Sequence, residues 1–328
     1  MKAVWQQLHE GICQGQRRAI AKGITLLESS HPDDARQAAQ LLAALENQPQ
    51  ARLRVAISGP PGVGKSTLIE ALGLRAIAEG LRVGVLTVDP SSRVSGGSIL
   101  GDKTRMPRLS LHPAAFIRPS PAGTILGGVA RRTRETIRLL EAAGFDLLLV
   151  ETVGVGQSET EVDGMVDLFV LLLLPNGGDE LQGIKRGIME LAEIIVINKA
   201  DQQWQDLAAN TAAQVSQAIR LLQRKHTAWE PQVLLCSALH HQGIDRLLEH
   251  LLAYGQTMQQ AGVLQQKRQA QAALWMWERV YEGLRLQLHA DTLVGQLAPQ
   301  LEAQVAQGAL GPIEAAEQLL HCFANARK

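Results

Sequence analysis

Between residues 51 and 255, short apolar segments alternate with stretches of helical spacing, and this alternation limits the possible folds more than any other feature. Strands that are apolar on both faces are typical of a parallel sheet with helices packed on both sides. We therefore predict an α/β domain with a doubly wound, mostly parallel sheet, in which ligands bind beyond the carboxyl ends of the strands. The predicted strands are Leu53–Ser58, Val83–Asp89, Ala115–Arg118, Phe145–Glu151, Leu168–Pro175, Ile194–Asn198 and Val233–Ser237.

Both flanks of this region have helical patterns. The sequence predicts three parts: an N-terminal helical segment at residues 1–50, the α/β domain at 51–255, and a C-terminal helical extension at 256–328. The extension carries an apolar stripe at helical spacing, formed by Leu274, Trp277, Tyr281, Leu284 and Leu288. This stripe either packs back on the α/β domain or forms a subunit interface.

Composition excludes several classes of protein. The 328 residues include 32 Lys+Arg and 32 Asp+Glu, and this balance argues against a nucleic-acid binder. The longest apolar run, Leu168–Leu174, is far shorter than the ~20 residues of a membrane span. We expect no secretory signal, and the 3 cysteines form no CxxC pair. The expectation is a cytoplasmic protein without nucleic-acid or membrane partners.

A glycine-rich loop follows the first predicted strand and opens a helix. It matches the G-x-x-x-x-G-K-[ST] phosphate loop, in which backbone N–H groups wrap phosphates at a helix N-terminus. Lys65 would reach the β and γ oxygens, and Ser66 would offer its hydroxyl to Mg²⁺. The predicted nucleotide-binding residues of the loop are Gly59, Gly62, Val63, Gly64, Lys65, Ser66 and Thr67.

A second motif points to guanine. Asn198-Lys199-Ala200-Asp201 follows a predicted buried strand, and the Asp201 carboxylate can accept from the two N–H donors on one edge of guanine. Ser237-Ala238-Leu239, after the next strand, resembles the turn that G proteins place against the base. The alternative for the first motif is a polar strand-to-helix turn. We favour GTP over ATP.

Metal and switch candidates lie between these motifs. Asp89 and Glu151 end two predicted strands, and Glu151-Thr-Val-Gly154 has the form in which a carboxylate holds Mg²⁺ while the glycine N–H meets the γ-phosphate. Asp102 lies in a glycine- and serine-rich loop that we interpret as a switch. Turn caps are the alternative for the two strand-end acids, and a solvated loop is the alternative for the Asp102 segment.

Taken together, these motifs resemble the MeaB-type GTPases, which are chaperones of adenosylcobalamin-dependent acyl-CoA mutases such as methylmalonyl-CoA mutase. The resemblance covers nearly the whole chain. It implies a P-loop GTPase core that binds GTP or GDP with Mg²⁺. The stretches that carry it, besides the phosphate loop and Asn198–Asp201, are Val88–Ser92, Asp102–Met106, Glu151–Glu159 and Asn176–Lys185.

The resemblance also implies roles for single residues. Ser66, Asp89, Asp102 and Glu151 match positions that surround Mg²⁺ in the family. Lys185 matches a lysine that joins the nucleotide site when the mutase is bound; judged by its spacing alone it is an exposed helical lysine. Family members are homodimers through the C-terminal helices, which gives the apolar stripe a partner.

Two departures qualify this reading. Small GTPases place a water-orienting glutamine after the motif glycine, where this chain has Val155, and the nearest glutamine is Gln157. We therefore expect slow hydrolysis alone and activation by a partner, with Lys65, Lys185 and Gln157 as the catalytic candidates. His240 and Gly243 fit part of a cobalamin motif, but Ala238 stands where that motif needs aspartate. Adenosylcobalamin is therefore expected only through the partner mutase.

Two other functions remain open. A metallochaperone GTPase for nickel or cobalt would need a His-rich tail or a CxxC pair, and this chain has neither. The phosphate loop would suffice for a small-molecule kinase acting on arginine or ornithine, but the Asn198–Asp201 motif would then be superfluous.

Overall fold

The predicted apolar segments form one sheet of seven strands, in the order β3-β2-β4-β1-β5-β6-β7. Every neighbouring pair is parallel. The computed structural model describes residues 3–29, 31–88, 106–118, 126–152, 158–175, 186–222 and 225–325. The strands are β1 Leu53–Ser58, β2 Val83–Val88, β3 Ala115–Arg118, β4 Leu147–Thr152, β5 Leu168–Leu173, β6 Ile194–Ile197 and β7 Gln232–Leu235.

Helices connect and flank these strands. Three precede the sheet: α1 Val4–Cys13, α2 Arg17–Glu28 and α3 Pro32–Leu45. Those between and after the strands are α4 Lys65–Ala78, α5 Pro107–Leu111, α6 Leu126–Ala142, α7 Ser158–Asp163, α8 Arg186–Leu191, α9 Gln205–Arg220 and α10 Ile244–Gln260. The last three are α11 Val263–Ala290, α12 Thr292–Ala306 and α13 Pro312–Asn325.

The sheet is apolar on both faces, as predicted, because helices cover each of them. Along β1, Leu53, Val55 and Ile57 belong to one buried cluster, together with residues of α4 and α10. Ala56 belongs to the other cluster, with residues of α1, α2, α3, α6 and α9. The doubly wound α/β fold with N-terminal and C-terminal helices is confirmed, and all seven strands lie within two residues of their expected starts.

The N-terminal helices pack against α6 and reach the edge strand β3. The Arg17 guanidinium donates to the carbonyl of Ala115, at 2.8 Å, where β3 begins. Where β3 ends, the Arg118 guanidinium pairs with the Glu28 carboxylate. Helix α2 is therefore joined to both ends of the edge strand, where exposed backbone groups would otherwise invite pairing with another chain.

Arg138 on α6 joins the N-terminal helices to the core. Its buried guanidinium donates to the carbonyls of Glu46 and Gln48, at 2.8 and 2.7 Å, and to those of Leu45 and Pro49. It also lies 3.3 Å from the Glu141 carboxylate, which accepts two hydrogen bonds from Arg54 on β1. One buried network thus connects the end of α3, the following turn, α6 and β1.

The chain divides into two compact units, Met1–Gln265 and Gln266–Lys328. In the second unit α12 packs against α13, and the Asp291 carboxylate caps α12 by accepting from the N–H groups of Leu293 and Val294. The predicted stripe lies on α11, where Leu274, Trp277 and Tyr281 are 61%, 52% and 65% exposed.

The boundaries predicted at residues 50/51 and 255/256 remain predictions. Among the described residues, no helix combines the length and apolar character needed to cross a membrane.

Candidate functional site

The phosphate loop connects β1 to α4 at the carboxyl edge of the sheet, and its glycines are required by the backbone. Gly64, the residue before α4, has a φ of 97°, in the left-handed region. A Cβ at Gly59 would lie 2.5 Å from the carbonyl oxygen of Leu172 on β5. Any other residue at either position would therefore be strained or would collide with the sheet. The loop presents the N-terminus of a helix of 14 residues at this edge.

Lys65 folds back over the loop. Its ammonium group donates to the carbonyls of Gly59, at 2.7 Å, and Pro60, at 3.1 Å, and the residue is only 8% exposed. These two carbonyls hold the ammonium group against the first residues of the loop. A phosphate oxygen is a stronger partner for an ammonium group than a neutral carbonyl, because both are then charged.

Ser66 and Glu151 bring two oxygen ligands together. The Ser66 hydroxyl, in the first turn of α4, donates to Glu151 Oε1 at 2.8 Å. Glu151 lies in β4 next to β1 and is 6% exposed. Hydroxyl and carboxylate oxygens are the ligands that Mg²⁺ prefers, so this pair fits the ion that the sequence predicts here. Beneath it, the Thr152 hydroxyl donates to the Ser58 hydroxyl at 2.8 Å.

Asn198 connects the phosphate loop to the segment at residues 237–242, which we call the base loop. Its motif did not predict this role. Its side-chain Nδ2 donates to the carbonyl of Val63 at 2.8 Å, and its Oδ1 accepts from the N–H of Ala238 at 3.1 Å. The residue is 1% exposed. The two contacts span 135 and 40 positions of sequence, and nothing local in the sequence signals them.

The Asp201 carboxylate accepts a hydrogen bond from the Ser237 hydroxyl. The same hydroxyl oxygen accepts from the N–H of His240 at 3.3 Å. Ala238 is buried, whereas Leu239 beside it is 72% exposed and offers an apolar surface. The structure thus brings the two predicted base-recognition segments together at the carboxyl ends of β6 and β7.

A tight turn fixes the base loop. Ser237 and Gln242 exchange two backbone hydrogen bonds, of 2.9 and 3.0 Å, so Ser237 lies beyond β7 in an isolated bridge rather than in the strand as predicted. A Cβ at Gly243, which has a φ of 75°, would lie 2.3 Å from the carbonyl of Leu235. Burial raises the pKa of the neighbouring Cys236 thiol to about 12, so this cysteine stays protonated at neutral pH.

Five of the predicted site residues lie outside the described residues: Asp89, Asp102, Gly154, Gln157 and Lys185. Their roles stay predictions. In the described ranges no three His, Cys, Asp or Glu side chains are grouped as a metal site would need. The described nucleotide-binding candidates all lie at the carboxyl edge, from the phosphate loop and Lys199 to Leu239.

Comparison with known proteins decides the family. The family model described as "Methylmalonyl Co-A mutase-associated GTPase MeaB" matches residues 20–292. This chain belongs to the MeaB family. The match includes the phosphate loop, both base-recognition segments and all of α11. As a MeaB-family protein the chain is a GTPase that binds a guanine nucleotide and hydrolyses GTP.

Individual relatives agree with this assignment. The "Methylmalonic aciduria type A homolog, mitochondrial" of Mus musculus is 45% identical over 328 aligned residues, covering 97% of this chain and 79% of the mouse protein. The "GTPase ArgK" of Escherichia coli K12 is 45% identical and covers 93% of this chain and 92% of its own length. A crystal structure described as "LAO/AO transport system kinase" superposes with a TM-score of 0.75 at 37% identity, and the alignment covers 98% of both chains.

Proposed function

We propose that this GTPase is a Mg²⁺-dependent switch that acts on an adenosylcobalamin-dependent acyl-CoA mutase. The observation that carries the proposal is the match of residues 20–292 to a family described as associated with methylmalonyl-CoA mutase. The mouse relative, named for methylmalonic aciduria, supports the same partner. The switch would gate cofactor loading or protect the mutase, and adenosylcobalamin would be held by the mutase alone.

The nucleotide would bind with its phosphates in the loop at Gly59–Thr67 and its base between the segments at Asn198–Asp201 and Ser237–Leu239. Lys65 would exchange the carbonyls of Gly59 and Pro60 for β- and γ-phosphate oxygens, a gain in charge complementarity. The Asp201 carboxylate, oriented by Ser237, would accept from the N–H donors of guanine. Asn198 would hold the phosphate and base loops in register.

Ser66 and Glu151 are the described residues that would hold Mg²⁺, together with Asp89 and Asp102, which the sequence predicts at the same ion. When bound, the ion would neutralise charge that develops on the phosphate oxygens as the γ-phosphoryl group passes to water. In that step the bond between the γ-phosphorus and the bridging oxygen breaks, and GDP and phosphate leave. Lys65 would stabilise the charge on the leaving oxygens.

Activation by the partner is part of the proposal. Position 155 is valine, so the motif lacks a glutamine beside Gly154 to orient the attacking water. We infer slow turnover for the GTPase alone, and faster turnover when the mutase positions Lys185 and Gln157 for the reaction. The exposed stripe on α11, with Trp277 and Tyr281 rings stacked 6.0 Å apart, supports a homodimer through the C-terminal helices.

The test is phosphate release from GTP by the purified protein, with and without methylmalonyl-CoA mutase from the same organism. The mutase should raise turnover at least ~10-fold, a change of about 1.4 kcal/mol in the barrier. Chelating Mg²⁺ with EDTA should abolish both rates. Lys185→Ala should lose the stimulation, whereas Lys22→Ala, an exposed lysine on α2, should keep it.

Equal turnover with and without the mutase, together with no binding between them, would refute the partner. The kinase alternative is tested in the same assay by adding arginine or ornithine. Accumulation of a phosphorylated amino acid in step with GTP consumption would replace the chaperone proposal with a kinase. Insertion of nickel or cobalt into a partner enzyme, dependent on GTP, would replace it with the metallochaperone.

A further inference from the structure

A lysine far from the nucleotide site joins two short helices. The Lys225 ammonium group donates to Asp163 Oδ1 at 3.0 Å, to the carbonyl of Leu191 at 2.6 Å, and to Glu193 Oε1 at 3.3 Å. Asp163 is the last residue of α7, and Leu191 is the last residue of α8. The three hydrogens of one ammonium group thus meet the ends of both helices and a carboxylate between α8 and β6.

We call Lys225 and its three contacts the anchor. On the side of Glu193 the anchor is embedded in the core. The Glu193 side chain is 4% exposed, and its second oxygen accepts from the N–H of Phe169 on β5 at 2.7 Å. Its backbone carbonyl accepts from the N–H of Gln232 on β7 at 3.1 Å and from the Trp229 indole at 3.2 Å. Glu193 directly precedes β6 and is hydrogen-bonded to β5 and β7. Lys225 extends that fixed point to α7 and α8.

The anchor also lies in negative surroundings. Burial raises the pKa of Tyr254, and the charges of Glu193, Asp167 and Asp163 raise it further, so the phenol stays protonated. Its hydroxyl donates to the carbonyl of Asp167 at 3.1 Å. A cation among these carboxylates offsets their mutual repulsion, and a neutral side chain at position 225 would not.

The position of the anchor excludes contact with the nucleotide. Asp167 and Glu193 lie just before β5 and β6, at the amino edge of the sheet, whereas the phosphate loop lies at the carboxyl edge. A six-residue strand separates the two edges by about 17–20 Å. Lys225 therefore acts through the helices that it holds.

Both helices follow strands that end at the nucleotide site. Helix α7 begins at Ser158, after β4 with Glu151, and α8 begins at Arg186, after β5. Just after β5, the carbonyl of Pro175 accepts a hydrogen bond from the buried Thr211 hydroxyl. We propose that Lys225 is a positioning residue that locks α7 to α8, so that a nucleotide bound beside Glu151 changes both helices together. This rests on the proposed switch function.

The test is hydrogen–deuterium exchange of the full-length protein with and without a non-hydrolysable GTP analogue and Mg²⁺. In the wild type the analogue should slow exchange in the peptides that cover α7 and α8. Asp163→Ala cuts α7 from the anchor while Glu193 keeps its cation. In this variant the analogue should still slow exchange in α7, whereas the slowing in α8 should fall ~2-fold or more.

Three further variants complete the design. Lys225→Met should separate the responses of the two helices, and Lys225→Arg should restore the joint response because it keeps the charge and donors. Glu249→Ala, an exposed carboxylate on α10, should behave as the wild type. If Lys225→Met fails to fold, Asp163→Ala decides the question, since its carboxylate is 20% exposed and not part of the core.

The outcomes separate this inference from the proposed function. A wild-type protein that binds the analogue without any change in α7 or α8 would refute the nucleotide switch, and the coupling with it. A joint response in the wild type that is unchanged in Asp163→Ala and Lys225→Met would refute the role of Lys225 and leave the switch standing.

Discussion

At the scale of single residues, the polar side chains of the site form hydrogen bonds within the protein itself, in addition to their predicted contacts with the nucleotide. Asn198 holds two loops together, Ser66 donates to Glu151, and Lys65 donates to two carbonyls of its own loop. Motif and order were enough to predict that these residues belong to one site. They could not predict the partners that each would have in the protein, because those partners depend on how the strands are ordered in the sheet.

We predict that Asp201→Asn weakens GTP binding about 100-fold and raises the affinity for xanthosine triphosphate. A carboxylate accepts two hydrogen bonds from guanine, and charged hydrogen bonds contribute about 1.5–3 kcal/mol each. An amide presents one donor in place of an acceptor, which suits the oxygen of xanthine. The measurement is competition between the two nucleotides for the purified protein.

The control for this substitution is Asp206→Asn, an exposed aspartate in the first turn of α9. It should leave both affinities unchanged. A preference for GTP that survives in Asp201→Asn would show that this carboxylate does not read the base.

At the scale of elements, the strands were predictable and the anchors of the short helices were not. Near-continuous apolar runs marked all seven strands, although β4 begins two residues later than expected and β7 ends at Leu235. Glu70 and Lys225 showed no sequence signal. Each is one charged residue on or near a polar helical surface, and its partners lie more than thirty positions away.

Glu70 on α4 caps the short helix α5. Its Oε1 accepts from the N–H of Arg108 at 2.8 Å and from the N–H of Leu109 at 3.3 Å. We predict that Glu70→Ala speeds amide exchange in residues 107–111 about 5-fold, because a lost cap costs ~1 kcal/mol. Exchange measured peptide by peptide checks this.

Glu79→Ala is the matched control for the cap, since Glu79 lies just after α4 and pairs with Arg75 at the surface. It should leave exchange in α5 unchanged. Equal exchange in Glu70→Ala and Glu79→Ala would mean that α5 is held by packing alone, for example by Leu109 against Gly73.

At the scale of the whole molecule, the N-terminal helices belong to the core and are not an appendage. Ile12, Ile20 and Ile24 are buried in the same cluster as residues of α6 and of the sheet. The sequence predicted helices at residues 1–50 but could not place them, because an apolar helical face does not specify which surface covers it. Buried charges such as Arg138 resolve that ambiguity in the fold.

We predict that Arg138→Met lowers the free energy of unfolding by about 3 kcal/mol or more. The substitution leaves the carbonyls at the end of α3 without their donor, and breaking a buried ion pair by removing one partner is strongly destabilising. Urea denaturation followed by circular dichroism measures the change. Arg36→Met, on the exposed surface of α3, should cost little by comparison. A loss below about 1 kcal/mol in Arg138→Met would contradict the prediction.

Assembly is the second property of the whole molecule that can be tested. We predict that Trp277→Glu converts a dimer into a monomer, because a buried charge in an apolar interface is costly. Light scattering during gel filtration gives the mass of each species. Leu111→Glu, which alters an 85% exposed leucine on α5, should leave the mass unchanged. A wild-type protein with the mass of one chain would refute the homodimer.

The contact between Gly64 and Asn198 has an evolutionary consequence. A Cβ at Gly64 would lie 2.7 Å from Asn198 Nδ2, so a larger residue at position 64 would require a smaller one at 198. Asn198 also holds Ala238 in the base loop. A substitution in the phosphate loop at this position would therefore weaken binding of the base as well. A change at position 64 or 198 would therefore affect phosphate binding and base selectivity at the same time.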